Sequence, residues 1–132
     1  MASHDLSGRR IFLVEDELLV AMALEATLQD FGAVVIGPIG RVKQAVQVAR
    51  EDPMDAAVLD VNLAGERVFP VADVLAARRI PFVFYTGYGQ EVLPAHYRTR
   101  PILSKTSTTN ALLSAMNQLF QPPEAESRRE AR

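Results

Sequence analysis

The sequence predicts an α/β fold, a doubly wound five-stranded parallel sheet with helices on both faces. Short apolar runs alternate along the chain with segments whose apolar residues recur at helical spacing, the mark of strand–helix–strand units. The apolar runs are continuous rather than alternating, as strands covered on both faces require. At 132 residues, 48% of them hydrophobic, the chain suits one domain with a single core.

Ile11 to Val14 form the first strand. A helix follows from Glu17 to Asp30, with Leu19, Met22, Ala23 and Ala26 at helical spacing and Gly32 as its stop. Ala33 to Ile36 form the second strand, closed by Gly37-Pro38. Val42, Ala45, Val46 and Ala49 define the second helix, which Pro53 ends. Ala56 to Leu59 are the third strand. Val68, Val71, Ala72 and Leu75 repeat the helical spacing, with Pro70 tolerated in a first turn. Phe82 to Tyr85 form the fourth strand. The next segment, Gln90 to His96, contains Pro94 and supports only a short, weak helix. Ile102 and Leu103 make a brief fifth strand. The last helix carries Leu112, Ala115, Met116 and Leu119 on one face, with Ser107 or Thr108 as N-cap. The expected boundaries are a flexible start at 1–8, a folded domain at 9–120 and a disordered tail at 121–132.

A formal net charge of −2 leaves no electrostatic footprint for nucleic acid or an anionic membrane. The absence of Cys excludes disulfides and thiolate metal sites and agrees with a reducing compartment. The N-terminal residues lack a signal peptide's apolar segment, and no apolar stretch approaches the roughly 20 residues that span a bilayer. The expectation is a soluble cytoplasmic protein.

In open parallel sheets, ligands bind beyond the carboxyl ends of the strands. The first strand exits into Glu15-Asp16-Glu17, the third into Asp60-Val61-Asn62, the fourth into Thr86-Gly87 and the fifth into Ser104-Lys105. Two carboxylates about 4 Å apart repel by roughly 4 kcal/mol at an effective dielectric near 20, so Glu15, Asp16 and Asp60 together call for a cation. An all-oxygen set suits Mg²⁺, which favours a few carboxylates, water and a substrate phosphate. Lys105, one of only two lysines, would set a positive charge against phosphoryl oxygens and Thr86 a hydroxyl. Gly87 would leave room for the group to arrive. Singly, each has a plainer reading: Asp16 or Asp60 as turn former, Thr86 as cap, Lys105 as surface charge, Tyr88 as loop aromatic. Four strand exits with complementary chemistry favour a function. His4 and His96 have no such partners.

The stretches "FLVEDE", "AVLDVNLAGE", "FVFYTGYG" and "PILSKT" resemble the receiver domain of two-component response regulators, over roughly Arg9 to Phe120. The resemblance implies a flavodoxin-like strand order 2-1-3-4-5. It makes Asp60 the phosphoacceptor from a sensor histidine kinase. Glu15, Asp16, Asp60 and the backbone carbonyl of Asn62 would hold Mg²⁺, Thr86 would sense the phosphoryl group, and Lys105 would pair with it. A narrower resemblance is to the stand-alone FAT GUY receivers: Phe84, Thr86, Gly87 and Tyr88 fit, while Tyr85 replaces the Ala and Gly89 the final Tyr. That group implies a kinase of the HWE or a related class.

Two positions depart from ordinary receivers. Thr106 stands where Pro usually follows the Lys through a cis bond, so a trans loop that places Lys105 differently is expected. Ile102 stands where an aromatic switch residue is usual, and Tyr88 is expected to take over part of its role, with Gly87 beside it. Twelve tail residues cannot fold into an output domain, so a protein contact is the expected output: switch, phosphate sink or relay to a phosphotransfer protein. No enzymatic activity is expected beyond self-phosphorylation and autodephosphorylation, and monomer is the expected state. The rivals are a degenerate receiver binding without phosphorylation, a Mg²⁺-dependent phosphohydrolase and a mononucleotide binder. The phosphohydrolase lacks its Asp-x-Asp, because Asn62 follows Asp60. The mononucleotide binder lacks its phosphate loop, since "EDELLV" follows the first strand.

Overall fold

The computed structural model describes residues 5–87 and 93–121. In chain order the first elements are β1 (Arg10–Val14), α1 (Leu18–Asp30), β2 (Val34–Ile39), α2 (Val42–Glu51) and β3 (Ala56–Asp60). They are followed by β4 (Asn62–Leu63), β5 (Glu66–Arg67), α3 (Phe69–Ala77), β6 (Phe82–Thr86), β7 (Ile102–Ser104) and α4 (Thr109–Leu119). The large sheet is parallel in the order β2-β1-β3-β6-β7, with β4 and β5 apart as a small antiparallel hairpin. Counting only the large sheet's strands, this is the predicted order 2-1-3-4-5.

Successive side chains of a strand point to opposite faces, and the core divides accordingly. Ile11, Leu13, Val58, Val83 and Tyr85 pack under α1 and α4 with Leu24, Leu28, Leu112 and Met116. Phe12, Val14, Leu59, Phe82 and Phe84 pack under α2 and α3 with Ala45, Ala49, Val71 and Leu75. Because β3 is buried at every position, its only polar residue, Asp60, falls at the end. Register does the rest. Val14 pairs with Leu59 and Asp60 with Tyr85, so Glu15 follows directly beside Asp60, while Thr86 pairs with Ser104.

The structure departs from the sequence reading in several places. The fold begins before the expected boundary at Arg9. Leu6 is fully buried, its N–H bonds the Phe31 carbonyl at 2.7 Å, and the Gly8 N–H bonds that of Gly32 at 3.0 Å. An apolar side chain that fills the core end anchors this start, which the polar residues around it conceal. β2 continues through a cis Gly37–Pro38 bond to Ile39, with a register shift against β1 between Phe12 and Val14. Gly37 has φ of 104° and a Cβ there would lie 2.7 Å from the Leu13 carbonyl oxygen, so the close approach of β2 to β1 requires glycine. Of the two residues expected as N-cap of α4, Thr108 takes the role as anticipated, accepting the Ala111 N–H at 3.1 Å. Of the weak helix expected over Gln90 to His96, residues 90–92 lie outside the described residues. Ala95–Tyr97 form a single 3-10 turn after Pro94. No helix among the described residues is long and apolar enough to cross a membrane.

Candidate functional site

Beyond the C-terminal ends of β1, β3, β6 and β7 lies a cleft of roughly 510 Å³ lined by Asp16, Glu17, Asp60, Asn62, Thr86, Gly87 and Lys105. Glu15, Asp60 and Thr86 are the buried polar residues of the described chain, at 3%, 3% and 1% exposure. Their depth follows from the strands: each ends or directly continues a run of core residues, so its side chain stays within the sheet's shadow. Asp16, one residue farther on, is exposed.

One carboxylate oxygen from each of Glu15, Asp16 and Asp60 lies within 4.8 Å of the other two. Each acid is held separately. Glu15 accepts the Glu17 N–H at 3.0 Å, Asp60 accepts the Asn62 N–H at 3.3 Å, and Asp16 accepts the Ala64 N–H at 3.0 Å. Ala64 and Gly65 both have positive φ, 49° and 88°, the geometry of a tight hairpin turn between β4 and β5. The hairpin thus braces Asp16 from across the cleft.

The Lys105 ammonium sits among three carboxylates, 3.0 Å from Asp60, 3.0 Å from Glu17 and 3.3 Å from Glu15. The first two contacts are hydrogen bonds. The Glu15 contact is an ion pair without hydrogen-bond geometry, and it leaves the buried Glu15 Oε1 with no hydrogen-bond partner. Burial first, then the neighbouring Asp60, pushes the Glu15 carboxyl up to about 7, against the lowering effect of the Glu17 N–H bond and the Lys105 charge. Burial pulls the Lys105 ammonium down, but its hydrogen bonds to Asp60 and Glu17 and the carboxylate charges outweigh this and hold it above its usual range.

The Lys105 backbone is anchored too. Its N–H bonds the Thr86 carbonyl at 3.0 Å, extending the β6–β7 ladder, and its carbonyl accepts the Tyr85 hydroxyl at 3.3 Å. The Lys105–Thr106 bond is trans, as expected, and Lys105 nonetheless reaches Asp60. Ser104 Oγ lies 2.8 Å from Thr106 Oγ1 and accepts the Thr106 N–H at 3.1 Å, a local turn that proline at 106 would forbid.

The structure therefore brings together Glu15, Asp16, Asp60, Asn62, Thr86, Gly87 and Lys105. A Cβ on Gly87 would meet no atom of the described residues within 4 Å, so no described neighbour demands glycine there. Tyr88 lies outside the described residues. Ile102 is partly buried against the α2–α3 face of the core. Two partners of Lys105, Glu17 and Tyr85, were given no role from sequence. The adjacent "EDE" and the aromatic directly before Thr86 were the available signals.

The donor set fits a hard divalent cation. Three carboxylates converge, and the buried Glu15 oxygen lacks a hydrogen-bond donor that a cation would replace.

No protein-family model matches the chain. The chain is 38% identical to SdrG from Sphingomonas melonis Fr1, whose solution structure superposes with a TM-score of 0.77 over 92% of this chain and 100% of that one. The BeF3-activated conformation of SdrG, from Pseudomonas melonis Fr1, is 39% identical, with a TM-score of 0.73 over 87% and 98%. The phyllosphere-induced regulator PhyR of Methylorubrum extorquens is 35% identical over 86 residues, 63% of this chain. The transcriptional regulatory protein PdtaR of Mycobacterium tuberculosis is 31% identical over 86 residues, 64% of this chain. The matched region spans 32% of PhyR and 42% of PdtaR.

Proposed function

This chain belongs to the receiver-domain family of response regulators, and from that premise we propose that it accepts a phosphoryl group on Asp60 from a phosphohistidine of a sensor kinase and signals by protein contact. The observation that carries the reading is Lys105 Nζ at 3.0 Å from Asp60 Oδ2, at the strand ends beside two further acids.

In the transfer, an Asp60 carboxylate oxygen attacks phosphorus, the phosphorus–nitrogen bond of the donor breaks, and the imidazole leaves with a proton. Asp60 is buried among core residues and accepts the Asn62 N–H, so its direction is fixed before the donor arrives. Lys105 stands ready to balance the charge that the phosphoryl oxygens bring. Thr86, one strand over, is buried at the same edge, where its hydroxyl meets the group as acceptor-side sensor. Glu15, Asp16, Asp60 and the Asn62 carbonyl would hold Mg²⁺, which supplies charge neutralisation at the phosphoryl oxygens.

The start of α1 supports a docking partner. Leu18, Leu19 and Met22 are 70%, 81% and 54% exposed next to Asp16 and Glu17. A kinase's histidine-bearing helices covering these residues would bring the donor to the cleft. The FAT GUY resemblance makes the HWE or a related class our choice of kinase, with this chain acting as a stand-alone, monomeric cytoplasmic regulator. The alternative, a degenerate receiver that binds without phosphorylation, is disfavoured because Lys105 keeps its reach despite Thr106.

Incubation with acetyl phosphate and Mg²⁺, read by intact-protein mass spectrometry, tests the reading. A Mg²⁺-dependent phosphate adduct on the wild type and none on Asp60→Asn is expected. An adduct that survives in Asp60→Asn would overturn the assignment of the acceptor.

A further inference from the structure

The phosphoryl-acceptor reading uses Lys105, and the geometry around that lysine points one residue further. We propose that Glu17 is a positioning residue, the acid that keeps the Lys105 ammonium against Asp60 once a divalent cation occupies the carboxylate cluster. The inference rests on the phosphoryl-acceptor reading above.

Three carboxylates surround the ammonium, but they are not equivalent. Glu15 and Asp60 belong to the convergent trio that fits a cation, together with Asp16. Glu17 does not, yet its Oε1 accepts from Lys105 Nζ at 3.0 Å. In the protein without metal, all three acids attract the ammonium. A dication held by Glu15, Asp16 and Asp60 would weaken two of those attractions, because it would draw on the same carboxylates and repel a neighbouring positive charge. Two positive charges a few ångströms apart in a partly buried cleft oppose each other strongly. Glu17 is then the one carboxylate still committed to Lys105.

Its position suits that task. Glu17 is the N-cap residue of α1, its backbone N–H is fixed by Glu15 at 3.0 Å, and its side chain is 62% exposed. The carboxylate therefore sits at the mouth of the cleft, on the solvent side of the ammonium. The Lys105 backbone is fixed by Thr86 and Tyr85, so only the flexible side chain needs holding. Because Lys105 also bonds Asp60, the pair belongs to a network and is not the isolated exposed ion pair that contributes little.

The test uses the full chain and three variants: Glu17→Gln, Glu17→Ala and Lys105→Gln, with the double variant Glu17→Ala/Lys105→Gln. The first readout is the affinity for beryllofluoride at saturating Mg²⁺, followed by amide NMR shifts. The second is the rate of adduct formation from acetyl phosphate, resolved into its maximal rate and half-saturation. The third is the Lys105 Nζ resonance with and without Mg²⁺. Glu17→Ala is expected to weaken beryllofluoride binding and lower the maximal rate about tenfold, with Glu17→Gln between it and wild type because its amide oxygen still accepts. In the Lys105→Gln background the Glu17 change is expected to have no further effect, and in Glu17→Ala the Lys105 resonance should broaden on adding Mg²⁺. Equal affinities and rates for Glu17→Ala and wild type at saturating Mg²⁺, or additive losses in the double variant, would overturn the role of Glu17 and leave the acceptor reading intact. A wild type that binds no beryllofluoride and takes up no phosphoryl group would instead overturn the acceptor reading, and this inference with it.

Discussion

Replacing Glu15 by Gln should stabilise the metal-free protein at neutral pH and remove most of its response to Mg²⁺. Glu15 is 3% exposed, and its carboxyl is pushed up to about 7, first by burial and then by Asp60. In the unfolded chain it returns to its ordinary value of 4.5. Between these two values the folded protein holds a proton that the unfolded chain has released. Stability therefore falls as pH rises through that window and levels off above about 7. At about 1.4 kcal/mol per pH unit, the window amounts to at most roughly 3.5 kcal/mol. Gln keeps an oxygen for the Glu17 N–H, and its amide can donate to Asp60, so the exchange leaves no new unsatisfied group. Local relaxation reduces the expected gain to about 1–2 kcal/mol. Urea unfolding in a chelator checks this: near pH 5 the two proteins should match, and near pH 8 the variant should be the more stable. With millimolar Mg²⁺ the order should reverse, because only the wild type offers the third carboxylate. Equal stabilities near pH 8 in chelator, or a wild type that gains stability as pH rises through the window, would refute the reasoning.

Three further substitutions probe the frame that carries the site. Phe84 is fully buried and makes edge contacts with Phe69, Phe82 and Tyr97, so Phe84→Ala should cost about 3–5 kcal/mol in urea unfolding, and a loss under about 1 would contradict the packing. The Tyr97 hydroxyl bonds Asp73 on α3, and Tyr97→Phe should cost about 1 kcal/mol, a cost that should vanish in an Asp73→Ala background. Thr108→Ala removes the α4 cap and should cost about 1 kcal/mol, whereas Ser107→Ala should be close to neutral.

The strand exits were legible because their logic is one-dimensional. A parallel sheet buried on both faces writes each strand as an apolar run, and the first polar residue after the run falls at the ligand edge. Asp60 after Ala56–Leu59 and Thr86 after Phe82–Tyr85 could thus be placed before any coordinates. The β4–β5 hairpin could not. Its strands are two residues each, too short for a period, and its turn uses Ala64 and Gly65 in place of the Asn-Gly that signals such a turn. Its contribution to the site, the Ala64 N–H on Asp16, is a backbone contact that side-chain chemistry does not announce. Leu6 was hidden for a related reason: one apolar residue among polar neighbours has no pattern, and only the tertiary structure shows that it closes the core end. Glu17 was in plain view but ambiguous. In sequence it is a third acid beside two others, and only the fold of the Lys105 side chain back across the cleft distinguishes it from them.

The most direct test of the central claim locates the phosphoryl group itself. The protein is incubated with acetyl phosphate and Mg²⁺, the acyl phosphate is reduced with borohydride, and the peptides are sequenced by mass spectrometry. The account predicts reduction of a single side chain, Asp60, abolished by chelation. Reduction at Glu15 or Asp16 instead, or at Asp60 with equal yield in the presence of chelator, would contradict it.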